Sequence, residues 1–596
     1  MKNLLLFLIY IPILFSCSDQ ERNPEKATTR PNVILILTDD QGYGDLGIHG
    51  NESIHTPVLD KMAIDGVRMD RFYVSPLCAP TRASLLTGRY NLRTGTRWVS
   101  DGLENMRGEE ITIGEVFNNA GYKTGCFGKW HNGAHFPYHP NQQGFDEFIG
   151  FCAGHWNNYF GTKLEKNGEP FSTKGFITDA LTDEAISFIK ENKNAPFLCY
   201  IPYNVPHSPF QVPDKYYDKY YNNLTAIEDE AERRKAAAVY GMCENMDENV
   251  GRIFTEVEKL GLSENTIIIY LTDNGPNGHR FNAGMKGIKG SVHEGGVRVP
   301  FFAQWKGHFP KGVKSGKLAA HIDVLPTLAS LCQIDLPKGL VLDGKDISPL
   351  LMGKEEGWPD RIIFTQQSDR ELDPFKKGAL RNSRYRLVFE GNKGGELFDM
   401  LEDPREQHDL SEEKPGLLDS LKGEYLTWFA DVSAEVYDLR SIPMGFEDQQ
   451  KIVLPAHESN FEGGLKFKEG HGWAHDWLVN WTSTSDQLYW KVEVAAYGKY
   501  KAYISYTCPE ENIGSQIQLT AGENKVVGKI IKPFDPSYYP SPDRISRKEV
   551  YEKDWETVEL GEIEISPGVR QLTIRATEVP TSQVGEFKNL TLIKTE

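Results

Sequence analysis

The sequence contains no C-x-x-C pair, no internal repeat and no low-complexity segment. Its eight cysteines (17, 78, 126, 152, 199, 243, 332 and 508) are scattered over 596 residues, which argues against a zinc knuckle or a small disulfide scaffold. A basic excess is also missing: 66 Lys and Arg stand against 84 Asp and Glu, a formal charge of −18. Nonspecific nucleic-acid binders need a basic face to neutralise phosphates, so no nucleic-acid partner is expected, and any polyanionic substrate requires locally placed cations. The apolar run from Leu4 to Phe15 is interrupted by Pro12 and falls short of the ~20 residues of a membrane span. What is present is 39% hydrophobic, 11% aromatic and 25% charged residues, a mix that buries large cores and argues against wholesale disorder. The length suggests two to four domains.

Residues 1–17 combine a short basic start with that apolar run and read as an exported signal peptide. Leu14-Phe15-Ser16-Cys17 resembles the lipobox of bacterial lipoproteins, which implies lipidation of Cys17, membrane attachment through it, and a periplasmic, outer-membrane or cell-surface location. An ordinary signal peptide with an incidental cysteine is the other reading. Residues 18–30 are polar and aperiodic, a flexible tether.

Asn32 to Thr38 and Thr266 to Thr272 are continuous apolar runs of strand length, suited to a sheet covered on both faces. Val239, Met242, Met246, Val250, Ile253, Val257 and Leu260 recur at the spacing of a long helix. Alternating helices and buried strands predict an α/β fold with a largely parallel central sheet, whose ligands gather beyond the strands' carboxyl ends. A catalytic unit over 31–440 is expected, with a smaller closing subdomain at about 346–440 and an irregular stretch to about 450. From 450 to 596 short alternating strands at 489–494, 500–506, 557–560 and 571–576 predict a separate antiparallel β-sandwich.

Both central strands end in carboxylates, Asp39-Asp40 and Asp273-Asn274. Such pairs serve as turns or helix caps, or together as hard oxygen ligands for calcium or magnesium. A lone cysteine such as Cys78 reads as a small buried hydrophobe. Its surroundings, Cys78-Ala79-Pro80-Thr81-Arg82 followed by a short apolar helix and Thr87-Gly88-Arg89, match the cysteine motif of type I sulfatases. Further matching segments lie at 31–42, 121–131, 206–209, 271–275, 289–300 and 321–328. Over residues 31 to about 435 the chain therefore resembles the formylglycine-dependent sulfatases of the alkaline-phosphatase-like superfamily.

That resemblance implies that a separate maturation enzyme oxidises Cys78 to formylglycine. Asp39, Asp40, Asp273 and Asn274, with the modified Cys78, would hold one calcium ion. A hydroxyl of the formylglycine hydrate would attack sulfur, and loss of a proton from the second hydroxyl would expel sulfate. By the same resemblance His131 is the base for that step, His207 the acid for the departing alcohol, Lys129 and Lys289 neutralise the sulfate oxygens, and Arg82 holds the diol beside the metal. Three residues depart from the family pattern. Asn132 stands where leucine is common, which predicts a more polar pocket wall; Thr81 replaces serine; and Phe127 is bulky, which bears on packing.

Glu294 reads as structural. His155, Trp156, Asn157, Asn158 and Arg370 are candidates for sugar contacts, and Trp473, Trp477, Trp481, Trp490 and Trp555 either bind sugar rings or fill the sandwich core and its seam. By family analogy the expected substrate is a sulfated polysaccharide or oligosaccharide, algal (ulvan, carrageenan, galactan or fucan) or a glycosaminoglycan. The alternatives are a phosphatase or phosphodiesterase of the same superfamily, which Cys78 opposes, and a non-catalytic glycan-binding surface protein, which the complete set of ligands opposes.

Overall fold

The strand Asn32–Thr38 is buried at every position in the computed structural model of the chain, which describes residues 30–595. The expected signal peptide, the lipidated Cys17 and nearly all of the tether lie outside the described residues. Asn32–Thr38 runs parallel to Thr266–Thr272 on one side and to Phe197–Pro202 on the other. Lys123–Lys129 and Glu147–Phe151 continue the parallel run. Phe301–Gln304, antiparallel, followed by Val67–Met69 and Val313–Ser315 on one flank, and the antiparallel hairpin of Lys163–Lys166 and Glu169–Ser172 on the other, extend it to a ten-stranded sheet.

Because successive side chains point to opposite faces, Ile34 and Ile36 enter one apolar core while Val33, Leu35 and Leu37 enter the other. The first core is covered by the helix Glu230–Lys259 through Val239, Met242, Met246, Val250, Ile253 and Val257, six of the seven residues of the expected stripe. The second takes Ala83, Leu85 and Leu86 from the helix Cys78–Thr87. Strands Ile363–Gln366, Gly378–Arg381, Tyr385–Phe389 and Glu396–Asp399 form an antiparallel meander on which the helix Pro415–Ser433 packs with Leu421 and Tyr425.

Two further sheets face each other around one core to make the C-terminal sandwich. The expected irregular stretch up to residue 450 is corrected: Ile442–Met444 is a strand, held in the sandwich by pairing with Gln487–Val494. A three-residue strand that includes Pro443 carries too little periodicity to be seen in sequence. Trp477, Trp481 and Trp490 are fully buried and Trp481 and Trp490 belong to this core, so they are not sugar platforms. The segment between Asn524–Lys529 and Glu556–Ile565 reaches over the catalytic unit. There Glu549 accepts from Ser208, Glu552 from Asn157 at 2.7 Å, and Asp543 from Gln211 at 2.7 Å. The seven described cysteines are all free and buried, and no described helix is long and apolar enough to cross a membrane.

Candidate active site

Thr38 lies opposite Thr272 in the parallel ladder, so Asp39-Asp40 and Asp273-Asn274 leave the sheet side by side at its carboxyl edge. All four side chains are fully buried. Asp40 occupies the left-handed region at φ 63°, and its backbone N–H donates to Asp273 Oδ1 at 3.2 Å. Asn274 Nδ2 donates to Asp40 Oδ1 at 2.9 Å. Ligand atoms of Asp39, Cys78 and Asp273 lie within 4.8 Å of one another, as do those of Asp39, Asp40 and His207.

Cys78 is the first residue of a ten-residue helix in which every residue is buried, which brings its Sγ to the carboxylates. One turn on, Arg82 donates to Asp273 Oδ2 through Nη2 at 2.8 Å and Nε at 3.1 Å, and to the Lys129 carbonyl through Nη1 at 2.6 Å. Lys129 Nζ stands 2.5 Å from Asp39 Oδ2, and Lys289 Nζ 2.6 Å from Asp40 Oδ1. The Lys289 loop is pinned to the cysteine loop by Gly290 N–H donating to the Pro76 carbonyl at 2.9 Å. The structure thus brings together every predicted metal and cationic residue.

Three carboxylates and three cations in one dry place perturb each other. Burial raises the Asp39 and Asp40 carboxyls and is the largest single effect on each, but Lys129, His207 and Arg82 around the first, and Lys289, His207 and Asn274 around the second, together outweigh it and hold both below the usual range. Asp273 goes the other way: burial and then the Asp39 charge push it up to about 7 against Arg82 and Lys129. Burial also raises the Cys78 thiol, with Lys129 and Lys289 opposing.

The two histidines are held in defined tautomers by carbonyls, which only accept. His131, at φ 63°, donates from Nε2 to the Val99 carbonyl at 3.0 Å, so its buried and unpartnered Nδ1 carries the free lone pair. Burial and then Lys129 keep it well below the ordinary imidazole range, a neutral base. His207 donates from Nδ1 to the Ser208 carbonyl at 2.7 Å and turns Nε2 toward Asp40 Oδ2 at 3.7 Å. Burial lowers its pKa against the pull of Asp40.

Asp39 Oδ1 and Asn274 Oδ1 are buried without a hydrogen-bond partner, and the donor set at the strand ends is all oxygen. Unpartnered oxygens among crowded carboxylates fit a hard divalent cation. Sequence reasoning missed Asn277, whose Nδ2 donates to Asp40 Oδ2 at 3.1 Å, and Arg280, which donates to the Asp40 carbonyl at 3.0 Å. Both follow closely on Asp273-Asn274, and that proximity was the available signal.

Asn132, expected to make the pocket wall more polar, is fully buried, donates to the carbonyl of Ala79 at 3.1 Å and so braces the start of the cysteine helix, while its Oδ1 has no hydrogen-bond partner. Thr81 donates to the Ser75 carbonyl at 3.1 Å and Phe127 packs against Phe188. Glu294 is buried in an ion-pair network with Arg386 at 3.1 Å, as its structural reading expected. Of the sugar-contact candidates, Asn157 is fully buried against Glu552, Asn158 caps its own turn by accepting from Phe160 N–H, and Arg370 pairs with Asp101 at 2.8 Å.

A family model described as Sulfatase matches residues 31–334, more than half of the chain. The chain belongs to the sulfatase family. A second model, described as N-sulphoglucosamine sulphohydrolase, C-terminal, matches residues 288–422 of this sulfatase. Arylsulfatase A of Homo sapiens is 34% identical over 423 residues, covering 63% of this chain and 77% of that protein. Arylsulfatase G of Rattus norvegicus is 28% identical over 523 residues, covering 76% and 96%. Among solved structures, Ps i-CgsB in complex with k-i-k-neocarrahexaose shares 30% identity at a TM-score of 0.61, covering 69% of this chain and 95% of that chain. The sulfatase is a sulfuric ester hydrolase of alkaline-phosphatase-like fold.

Proposed function

We propose that this sulfatase removes sulfate from a sulfated polysaccharide or oligosaccharide, of algal type such as ulvan, carrageenan or fucan, or from a glycosaminoglycan, using one calcium ion and a formylglycine made from Cys78 by a host maturation enzyme. The observation that carries the reading is the buried, all-oxygen cluster of Asp39, Asp40, Asp273 and Asn274 meeting Cys78 Sγ beneath Lys129 and Lys289. The glycan part is supported by the likeness to Ps i-CgsB, which was solved with k-i-k-neocarrahexaose.

Calcium held by those four residues would supply positive charge to an anionic substrate and lower the pKa of a hydroxyl bound to it, while formylglycine would supply an aldehyde hydrate where the unmodified thiol is held protonated by burial. The chain's own groups supply the rest. Lys129 and Lys289 bring cations to where the sulfate oxygens gather charge. His131 Nδ1 accepts a proton. His207 Nε2 delivers one to the leaving alcohol; the anionic sulfate favours the protonated imidazole that burial disfavours.

The alkaline-phosphatase-like scaffold also serves phosphoryl substrates, and Cys78 in place of Ser or Thr is the feature that favours sulfate here. The test is inorganic sulfate release from sulfated oligosaccharides by protein whose Cys78 conversion is verified by peptide mass. Release that disappears in Cys78→Ala and on calcium chelation supports the proposal, whereas phosphate release without sulfate release overturns it. Export and anchoring through Cys17 belong to the same proposal and rest on residues 1–17.

A further inference from the structure

The strap that joins Asn524–Lys529 to Glu556–Ile565 in the β-sandwich fastens itself to the loop that carries His207. Ser208 Oγ donates to Oε1 of the buried Glu549, across 341 positions of sequence. Gln211 Nε2 donates to Ser541 Oγ and to Asp543 Oδ1, both at 2.7 Å, and Arg544 Nη1 donates to the Val212 carbonyl at 3.0 Å. The loop of the catalytic unit is thus held at 208, 211 and 212 by side chains of the second domain.

His207 depends on this loop for its aim. Its Nδ1 donates to the Ser208 carbonyl at 2.7 Å, so the orientation of the Ser208 peptide sets the direction of the ring and of Nε2. Within the catalytic unit Tyr159 Oη reaches both the His207 and the Ser208 carbonyls, at 3.0 and 2.9 Å, but has a single proton to share between them. Tyr159 is itself tied to the held loop, because its N–H donates to Gln211 Oε1 at 2.9 Å. Asn157, two residues before it, donates to Glu552 at 2.7 Å and accepts at its carbonyl from Arg547, so the strap grips both loops.

The serine hydroxyl is the joint between the two domains at this point. A carboxylate accepts a stronger hydrogen bond than a neutral group does, and burial keeps water from competing for the donor. Glu549 therefore fixes Ser208, and the Ser208 carbonyl fixes the imidazole. A general acid must stand within hydrogen-bond reach of the departing oxygen, and a displacement of about 1 Å costs on the order of 10²-fold in rate.

We propose that Glu549 and Ser208 are positioning residues for His207, so that the β-sandwich completes the geometry of leaving-group protonation without touching the substrate. This role rests on the reading of His207 as the leaving-group acid. It is tested by steady-state kinetics of fully converted protein on sulfate esters graded from nitrophenyl through methoxyphenyl to a sugar alcohol, because the need for the proton grows as the leaving group becomes poorer. Glu549→Ala and Ser208→Ala are each expected to change kcat on nitrophenyl sulfate by less than about two-fold, with a loss that grows along the series to about ten-fold on the sugar sulfate and with KM unchanged. Glu549→Gln, which keeps an acceptor for the Ser208 hydroxyl, should recover most of that loss. In a His207→Ala background Glu549→Ala should cost nothing further, since no acid remains to be aimed.

Losses that are equal along the series, unchanged kcat in both variants, or full additivity with His207→Ala overturns the positioning role while leaving the acid in place. A His207→Ala loss that is equal along the series overturns the acid reading and the positioning with it. Absence of sugar sulfate turnover by the wild type overturns the glycan reading alone, and the aryl esters still decide the role of the strap.

Discussion

Arg82 grips Asp273 with two nitrogens, Nη2 at 2.8 Å and Nε at 3.1 Å, where neither side chain has any exposed surface. The same guanidinium donates to the Lys129 carbonyl. One residue thereby locks the cysteine helix, the carboxyl end of Thr266–Thr272 and the end of Lys123–Lys129 into a single arrangement. Because a planar fork satisfies both partners at once, lysine is no substitute.

Replacing Arg82 with Met leaves a buried carboxylate without its counter-charge, which costs about 3–5 kcal/mol. Denaturant unfolding of metal-free protein should show a drop of that size for Arg82→Met and a smaller one for Arg82→Lys. An unchanged midpoint would mean that the pair is structurally idle.

Calcium binding to the folded chain alone should raise stability by about 2.7 kcal/mol at a hundred times its dissociation constant. Thermal melts of purified protein with calcium or with chelator should therefore separate, and the separation should vanish in Asp273→Asn and in Asp39→Asn. A calcium response that persists in both variants would place the ion elsewhere.

His207 as proton donor matters most for a poor leaving group. His207→Ala should lower kcat on a sugar sulfate by about 10²–10⁴-fold and on nitrophenyl sulfate by no more than about ten-fold. Equal losses on both substrates would assign His207 to binding.

Burial pushes Glu104 up to about 7 from 4.5. The folded state holds this proton where the unfolded chain has released it, so the group's contribution to stability is fully present below pH 4.5 and is lost as pH rises through about 7. Glu104→Gln cannot titrate. Denaturant midpoints of variant and wild type should draw apart in the variant's favour between those pH values and run parallel above them; a constant gap would sink the assignment.

How much of the site was legible follows from where its residues sit in the chain. Asp39-Asp40 and Asp273-Asn274 are contiguous with apolar runs, and a strand buried on both faces must deliver whatever follows it to the sheet edge. Cys78 and Arg82 are one helical turn apart, so their shared direction was also local. What Asn132 touches was not legible, because a residue beside a site residue does not reveal which way the backbone turns; with His131 at φ 63°, Asn132 donates to the Ala79 carbonyl at the start of the cysteine helix.

The sequence by itself determined the parallel α/β core, the family and the chemistry of the strand ends, since periodicity and contiguous motifs encode them within short stretches. Only the tertiary structure decided what stands against the active site from outside. Asn157 meets Glu552 across 395 residues, and His155 faces Trp473 with ring centroids 5.4 Å apart. Such pairs depend on how two separately formed cores dock, and neither hydrophobic period nor local propensity carries that information.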